Sequence, residues 1–432
     1  MGEEKIDRLK GFRQFLPGEM NARRKVFGKL DRIAERYGFG HIETPSLEPM
    51  DLFLIKSGEE LVEQTYSFED KAGRKVTLIP EETPTRARMV KENKALSKPV
   101  KWYSSSKFWR YESTQKGRLR EFRQFNYDIF GEDSVDADAE VLAVASEMLE
   151  ELDIDHAAEL RINDRRMLEG ILSAYGIEDS EDILKVIDDK EKMSRQEFRD
   201  RLKDEGLSEE NSRIVDEVTE LSGSFSEVIP KLENLVPDAE ESKNAFKRLV
   251  ELKERLESYG VLENCIIDLS IIRGLAYYTG MVFEIFDTEG ELRALCGGGR
   301  YDELIELFGG QPTPAVGFAA GDAVLEILMK REDVWPEEEV ETDVYVLTVS
   351  ESVKKEGIKL AQRLRDMDMS VETDIVGRNF GNQMDYANSI NAENLIIVGE
   401  RDLENGEVTV KDMVSGDEEQ VGFESVEEYF SG

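Results

Sequence analysis

The stretch Lys107–Phe125 reads KFWRYESTQKGRLREFRQF, and its cations are the first residues that could do chemistry. From Lys101 to Arg123 there are seven basic residues (Lys101, Lys107, Arg110, Lys116, Arg118, Arg120, Arg123) against two acids, Glu112 and Glu121, a net charge of +5. The whole chain carries 94 Asp and Glu against 56 Lys and Arg, a formal net charge of −38. A basic run in so acidic a chain points to a bound anion. Phosphate suits it, because arginine offers a permanent charge and a planar fork of donors. The plainer alternative is a solvated basic loop. Arg110 lies among Phe108, Trp109 and Tyr111, which predicts that it projects from a packed strand, and Lys116-Gly117-Arg118 resembles a hairpin tip.

Two further constellations carry polar chemistry. RGLAYYTG, Arg273–Gly280, sets one fixed cation and two phenols beside a glycine-permitted backbone approach, or else forms a strand-edge turn. The glycines of CGGGRYD, from Cys296, could cradle a substrate or could turn the chain at a strand end. Other chemistries are poorly supplied. The two histidines, His41 and His156, have no nearby Ser or Cys, so a hydrolytic triad or a His-rich metal site is not expected. The pattern GxxxxGK[ST] is absent. Cys265 and Cys296 form neither a disulfide framework nor a CxxC; Cys265 is expected to pack, and Cys296, which precedes three glycines, is expected to pack or else to line a site.

These residues need elements to hold them. Met20–Tyr37 has helical apolar spacing. GFGHIETPSLEP reads as a turn, a short strand and a Pro-bounded loop. Arg74–Pro80 and Val100–Ser104 read as strands. Phe122–Phe130 alternates aromatic with polar residues, so one face should pack and the other present polar groups. Ala137–Leu152 reads as a helix. From 164 to 259 the chain is helical and highly charged, like an insertion. Strand signals return at Ile266–Leu269 and Met281–Phe286, and a turn-rich segment runs from Cys296 to Phe318. An acidic linker spans 330–342. After it, strands and helices alternate in a small α/β domain with a mixed sheet. At 432 residues, more than one domain is expected. The N-terminus, MGEEKIDRLK, lacks the apolar core of a signal peptide, and no apolar run is long enough to span a membrane. The expectation is a soluble cytoplasmic protein. Acid spread along the whole chain fits a high-salt source, where repulsion among carboxylates is screened.

Taken together, these motifs resemble the class II histidyl-tRNA synthetases, from about residue 10 to the C-terminus. YGFGHIETPSLEP is similar to the first class II motif, which implies a homodimer. IPEETPTRARM resembles the family's histidine-binding segment. FWRYESTQKGRLREFRQFNYDIFG resembles the second motif, RGLAYYTG the family's histidine signature, and CGGGRYDELIELFGGQPTPAVGFAAG a further signature running into the third motif. The resemblance implies an α+β catalytic domain with the class II antiparallel sheet (1–163 and 260–329), a helical insertion (164–259), and a C-terminal α/β anticodon-binding domain (343–432).

It also implies ATP-dependent attachment of L-histidine to tRNA(His) through a histidyl-adenylate, with Mg²⁺ on the nucleotide and no DNA or membrane partner. Arg110, Arg273 and Gln124 would be catalytic. Glu81, Glu82, Thr83, Arg110, Gln124, Asp128, Arg273, Tyr277 and Tyr278 would bind histidine. Arg110, Glu112, Arg118 and Phe122 would bind ATP, and Gln115 and Lys116 the tRNA acceptor end. No metal ligands among the protein side chains are implied. Three positions depart from the family pattern: Ala276 stands for Asp, Asp128 for Glu, and Val324 for the third-motif arginine. The alternative function is a non-catalytic relative that binds histidine for regulation, or one that binds tRNA.

Overall fold

A computed structural model describes residues 7–54, 63–177, 181–272, 278–339 and 342–431. The chain divides into two compact units, one of residues 1–14 and 26–335, the other of residues 15–25 and 336–432. No helix among the described residues is long and apolar enough to cross a membrane.

The first unit is built on a sheet of nine strands: β1 (Gly40–His41), β5 (Val100–Trp109), β6 (Glu121–Phe130), β7 (Ala158–Asp164), β8 (Ser222–Gly223), β9 (Cys265–Asp268), β10 (Met281–Asp287), β11 (Cys296–Arg300) and β12 (Ala315–Gly321). Their order is β1-β5-β6-β12-β11-β10-β7-β9-β8. The central pairings are antiparallel, while β1–β5 and β7–β9 are parallel. A small antiparallel sheet orders β2 (Leu47–Pro49), β4 (Lys75–Leu78) and β3 (Tyr66–Glu69) as β2-β4-β3. The loop expected after His41 therefore contains a strand.

One face of the large sheet is apolar. Phe125, Tyr127 and Ile129 of β6 alternate inward and meet Phe318, Phe283 and Ile285 from neighbouring strands. Against them lie helix α1 (Pro17–Arg36), through Val26, Leu30 and Ile33, and helix α3 (Val135–Glu151). The sequence of α3 explains its burial: alanines and aliphatics fill most positions, and Asp136 and Asp138 occupy the first turn, where the helix dipole favours acid. Helix α2 (Thr83–Glu92) begins at Thr83-Pro84, and proline suits the first turn because its missing N–H would be unpaired there.

From Arg165 to Tyr259 the described residues form six α-helices: α4 (Arg165–Ala174), α5 (Glu181–Asp188), α6 (Arg195–Asp204), α7 (Glu209–Thr219), α8 (Phe225–Glu233) and α9 (Glu240–Tyr259). Leu168, Phe198, Val215, Leu232 and Leu256 belong to the same apolar cluster as the sheet. Buried Asp216 ties α6 to α7 by accepting from Arg195 Nε at 2.7 Å and Arg199 Nε at 2.6 Å. Helix α10 (Asp322–Arg331) follows β12, so the first residues of the expected linker are helical.

The second unit holds the sheet β14-β13-β15-β16-β17, with β13 (Thr342–Thr348), β14 (Val371–Thr373), β15 (Ala392–Val398), β16 (Glu407–Asp412) and β17 (Glu418–Gly422). β13 is parallel to β14 and β15, and the last pairings are antiparallel, which gives the mixed sheet. Helices α11 (Lys354–Arg365) and α12 (Phe380–Ser389) complete it.

Candidate active site

The opposite face of the large sheet bears a cavity, and strand register determines what lines it. Asp128 on β6 lies opposite Gly317 on β12, Gly317 opposite Gly299 on β11, and Gly299 opposite Val282 on β10. Two residues back, Asn126 lies opposite Ala319, Ala319 opposite Gly297, and Gly297 opposite Glu284. Two further back, Gln124 lies opposite Gly321. The period of two puts Gln124, Asn126 and Asp128 on one face, over a floor of glycine and alanine. A cavity of 760 Å³ stands above that floor.

The glycines of CGGGRYD are thus the interior of a central strand and not a strand-end turn; Gly297 lines the cavity floor, and the glycines are needed for space. A Cβ on Gly299 would come 2.9 Å from the Tyr278 ring, and one on Gly317 would come 2.0 Å from Asp128 Oδ1. The sequence expectation for β6 holds: one face packs in the core and the other presents Gln124, Asn126 and Asp128. From Phe125 to Phe130 every residue is buried, so the polar alternates Asn126 and Asp128 face a covered cavity.

Around Asp128 lies a buried polar cluster. Arg86, on the second turn of α2, is wholly enclosed. Its guanidinium donates to Glu82 (3.0 Å from Nε), Ser104 Oγ (2.6 Å), Asp128 Oδ2, and the carbonyls of Trp102 and Asn126 (3.3 Å each). Asp128 Oδ1 accepts from the Tyr301 hydroxyl. Glu82 also accepts from Thr44 (2.6 Å), Ser104 and Ser106 (3.1 Å). Four side chains therefore bond Glu82, which ties it into the frame of the site, and it also lines the cavity. Burial works against the charge on Glu82, yet Arg86 and the three hydroxyls hold its carboxyl below the ordinary range. For Asp128 burial prevails, and its pKa is raised despite Arg86 and Tyr301.

The cationic side of the cavity comes from the chain between β5 and β6. Arg110 follows the end of β5; it does not project from the strand itself. Its Nε donates to the Pro80 carbonyl at 2.9 Å, and its guanidinium carbon lies 5.4 Å from the centre of the Phe122 ring. Arg118 Nε reaches Glu112 at 2.7 Å, and Gly117, at φ +74°, turns the loop between them. The basic run is less available than its sequence suggests. Lys101 pairs with Glu140, Lys107 with Glu121 at 3.1 Å, and Arg123 donates to the Ser105 carbonyl at 2.5 Å.

Of the residues expected at the site, Glu81, Glu82, Thr83, Arg110, Glu112, Arg118, Phe122, Gln124, Asp128 and Tyr278 line this one cavity. Gln115 and Lys116 do not; they are exposed at the loop tip, where Gln115 and Arg118 form a bridge. Arg273 and Tyr277, with Ala276, lie outside the described residues. Sequence reasoning missed Arg86, Asn126, Tyr301 and Arg293. Asn126 was within reach, since it sits midway between Gln124 and Asp128 at strand spacing. Arg293, from the turn between β10 and β11, carries no motif. It lines the cavity beside Val324, both within 4 Å of the Cβ position of Gly117 (Val324 Cγ2 at 3.0 Å, Arg293 Cγ at 3.9 Å).

The geometry joins an acid-rich end around Asp128 to a cationic end around Arg110. Comparison with known proteins agrees. The model of the histidyl-tRNA synthetase family matches residues 11–323, and that of an anticodon binding domain matches residues 343–432. A histidine–tRNA ligase of Natronomonas pharaonis is 48% identical over 419 residues, covering 96% of this chain and 95% of that one. One from Haloarcula marismortui is 47% identical with the same coverage. The crystal structure of histidyl-tRNA synthetase from Nostoc sp. PCC 7120 superposes with a TM-score of 0.85 at 26% identity, over 99% of this chain and 100% of that one.

Proposed function

The chain belongs to the histidyl-tRNA synthetase family and attaches histidine to tRNA, and we propose that it does so in this cavity, through a histidyl-adenylate made from ATP. One observation carries the reading: a single cavity joins an end lined by the carboxylates Glu81 and Asp128 to an end lined by the arginines Arg110, Arg118 and Arg293, which suit a polyphosphate. In the relatives compared, the non-catalytic alternative finds no support.

The carboxylate of histidine attacks the α-phosphorus of ATP, and the bond to pyrophosphate breaks. Two like charges about 4 Å apart repel by about 4 kcal/mol at an effective dielectric near 20, so a fixed cation must lie between them. Arg110 is that cation, held in place by Pro80 and Phe122, and Arg273 completes the clamp. The nucleophile is already ionised, so no general base is needed. Phe122 stacks on the adenine, and Glu112 accepts from it. Glu81 and Thr83 take the ammonium of histidine, Gln124 its carboxylate side, and Asp128, Tyr277 and Tyr278 its ring. Arg118 and Arg293 serve the outer phosphates, Arg293 in place of the arginine missing at Val324. A terminal hydroxyl of tRNA(His), guided by Gln115 and Lys116, then attacks the adenylate carbonyl and releases AMP.

No cluster of three metal-ligating side chains occurs among the described residues. Mg²⁺ would arrive on the phosphates of ATP and would neutralise part of their charge, as is usual for this ion. Leu47 and Phe68 on the two outer strands of the small sheet, and Leu54 in the short helix after β2, are exposed apolar groups, which supports a homodimer through this region. The charge of −38 supports a cytoplasm rich in salt.

The test is histidine-dependent ATP–pyrophosphate exchange at low and at molar KCl, with other amino acids as controls. Exchange with histidine alone is expected, strongest in molar KCl. Absence of exchange at every salt concentration, from folded protein, would refute the reading.

A further inference from the structure

Asn126 stands at the centre of the cavity-facing row, one strand step from Gln124 and one from Asp128. It is only 6% exposed, and its Nδ2 has no hydrogen-bond partner among the described residues. Its cross-strand neighbours explain why. Ser104 donates its hydroxyl to Glu82, and Ala319 has no polar side-chain atom. The Asn126 carbonyl is engaged by Arg86, which fixes the backbone and leaves the side chain pointing to the cavity. A buried donor without a partner costs about as much as a lost hydrogen bond, and such groups are rare unless a ligand completes them.

We propose that Asn126 is a specificity-determining residue for the amino acid, donating through Nδ2 to an acceptor atom of bound histidine. This rests on the function proposed above. Histidine offers two kinds of acceptor near this point, the unprotonated nitrogen of its neutral imidazole and its carboxylate. The carboxylates nearest to it at the amino-acid end, Glu81 and Asp128, act as acceptors, while the donors Thr83, Gln124 and Tyr278 line other parts of the cavity. A carboxamide donor between them supplies what they lack. It penalises any side chain without an acceptor at that place, because the donor would then stay buried and unpaired.

The experiment compares the wild-type protein with Asn126→Ala and Asn126→Gly, by pyrophosphate exchange and by thermal unfolding without ligands. The KM for histidine is expected to rise about tenfold, the worth of one hydrogen bond, with the KM for ATP changed less than about twofold. The unfolding temperature is expected to stay level or rise, since the variants remove a group that was unpaired in the free protein. A purely structural asparagine would instead lower the unfolding temperature and weaken both substrates together, and that outcome overturns the proposal. So does an unchanged KM for histidine in a folded variant. Inhibition by histidinol, which lacks the carboxylate, separates the two acceptors. Equal weakening of histidine and histidinol places the bond on the ring, and weakening of histidine alone places it on the carboxylate. If the wild-type protein shows no histidine-dependent exchange, the function itself fails, and the comparison of variants is not reached.

Discussion

Replacing Arg86 with alanine tests the polar frame beneath the site. The guanidinium is 0% exposed and bonds two buried carboxylates, Glu82 and Asp128, as well as Ser104 and two carbonyls. Its removal leaves both acids facing each other without a counter-ion. Breaking a buried ion pair by deleting one partner costs about 3–5 kcal/mol. Chemical unfolding in urea at pH 7, in molar KCl, should show a loss of that size. The pH dependence has a definite sign. The folded pKa of Glu82 lies below its ordinary value, so its contribution is present above about pH 4.3 and is lost as pH falls through the depressed folded value. In the variant the same carboxyl is pushed up by burial and binds a proton in the folded state. The gap between wild type and variant should therefore narrow as the pH drops below about 5. Asp128 loses one of its two anchors, so the KM for histidine should rise more than that for ATP. Arg86→Lys keeps the charge and loses the fork, and should fall between the two. A loss below about 1 kcal/mol at pH 7, with an unchanged KM for histidine, would refute the argument that Arg86 holds this frame.

Three further outcomes are expected. Gly317→Ala places a methyl group 2.0 Å from Asp128 Oδ1, so histidine-dependent exchange should fall by at least about 100-fold while the far-UV circular dichroism is retained. Asp216→Asn should destabilise the α6–α7 pair by about 2 kcal/mol, read from amide hydrogen exchange over residues 190–219. Burial opposes the charge of Asp216, but Arg195 and Arg199 depress its pKa, so in the wild-type protein that stabilisation should persist above about pH 4 and disappear at lower pH. Arg293→Ala should raise the KM for ATP about tenfold without changing that for histidine. Val324→Arg in the same background should restore much of the loss, and failure on both counts would remove Arg293 from the phosphate site.

The chemistry at the two ends of the site was legible along the chain because it lies in short local motifs. Arg110, Glu112, Arg118, Phe122, Gln124 and Asp128 fall within nineteen residues of one another, and aromatic–polar alternation showed that β6 has two unlike faces. Element types followed from the same local periodicity, and the helices and strands of both units lie close to where apolar spacing put them.

Tertiary structure alone decided which of those groups remain available. Lys101 and Lys107 belong to the basic run, yet each is neutralised by an acid that the fold brings beside it, Glu140 from α3 and Glu121 from across the hairpin. Glu82 and Asp128 are far apart in sequence, and they become one buried unit only because α2 delivers Arg86 between them. The roles of the Cys296–Arg300 glycines depended on register, since a glycine in a turn and one in a central strand read alike until the neighbour that would strike its Cβ is known. The physical reason is common to these cases. Periodicity records which face of an element is apolar, whereas hydrogen-bond satisfaction, charge pairing and close approach are properties of pairs, and long-range pairing is set by packing.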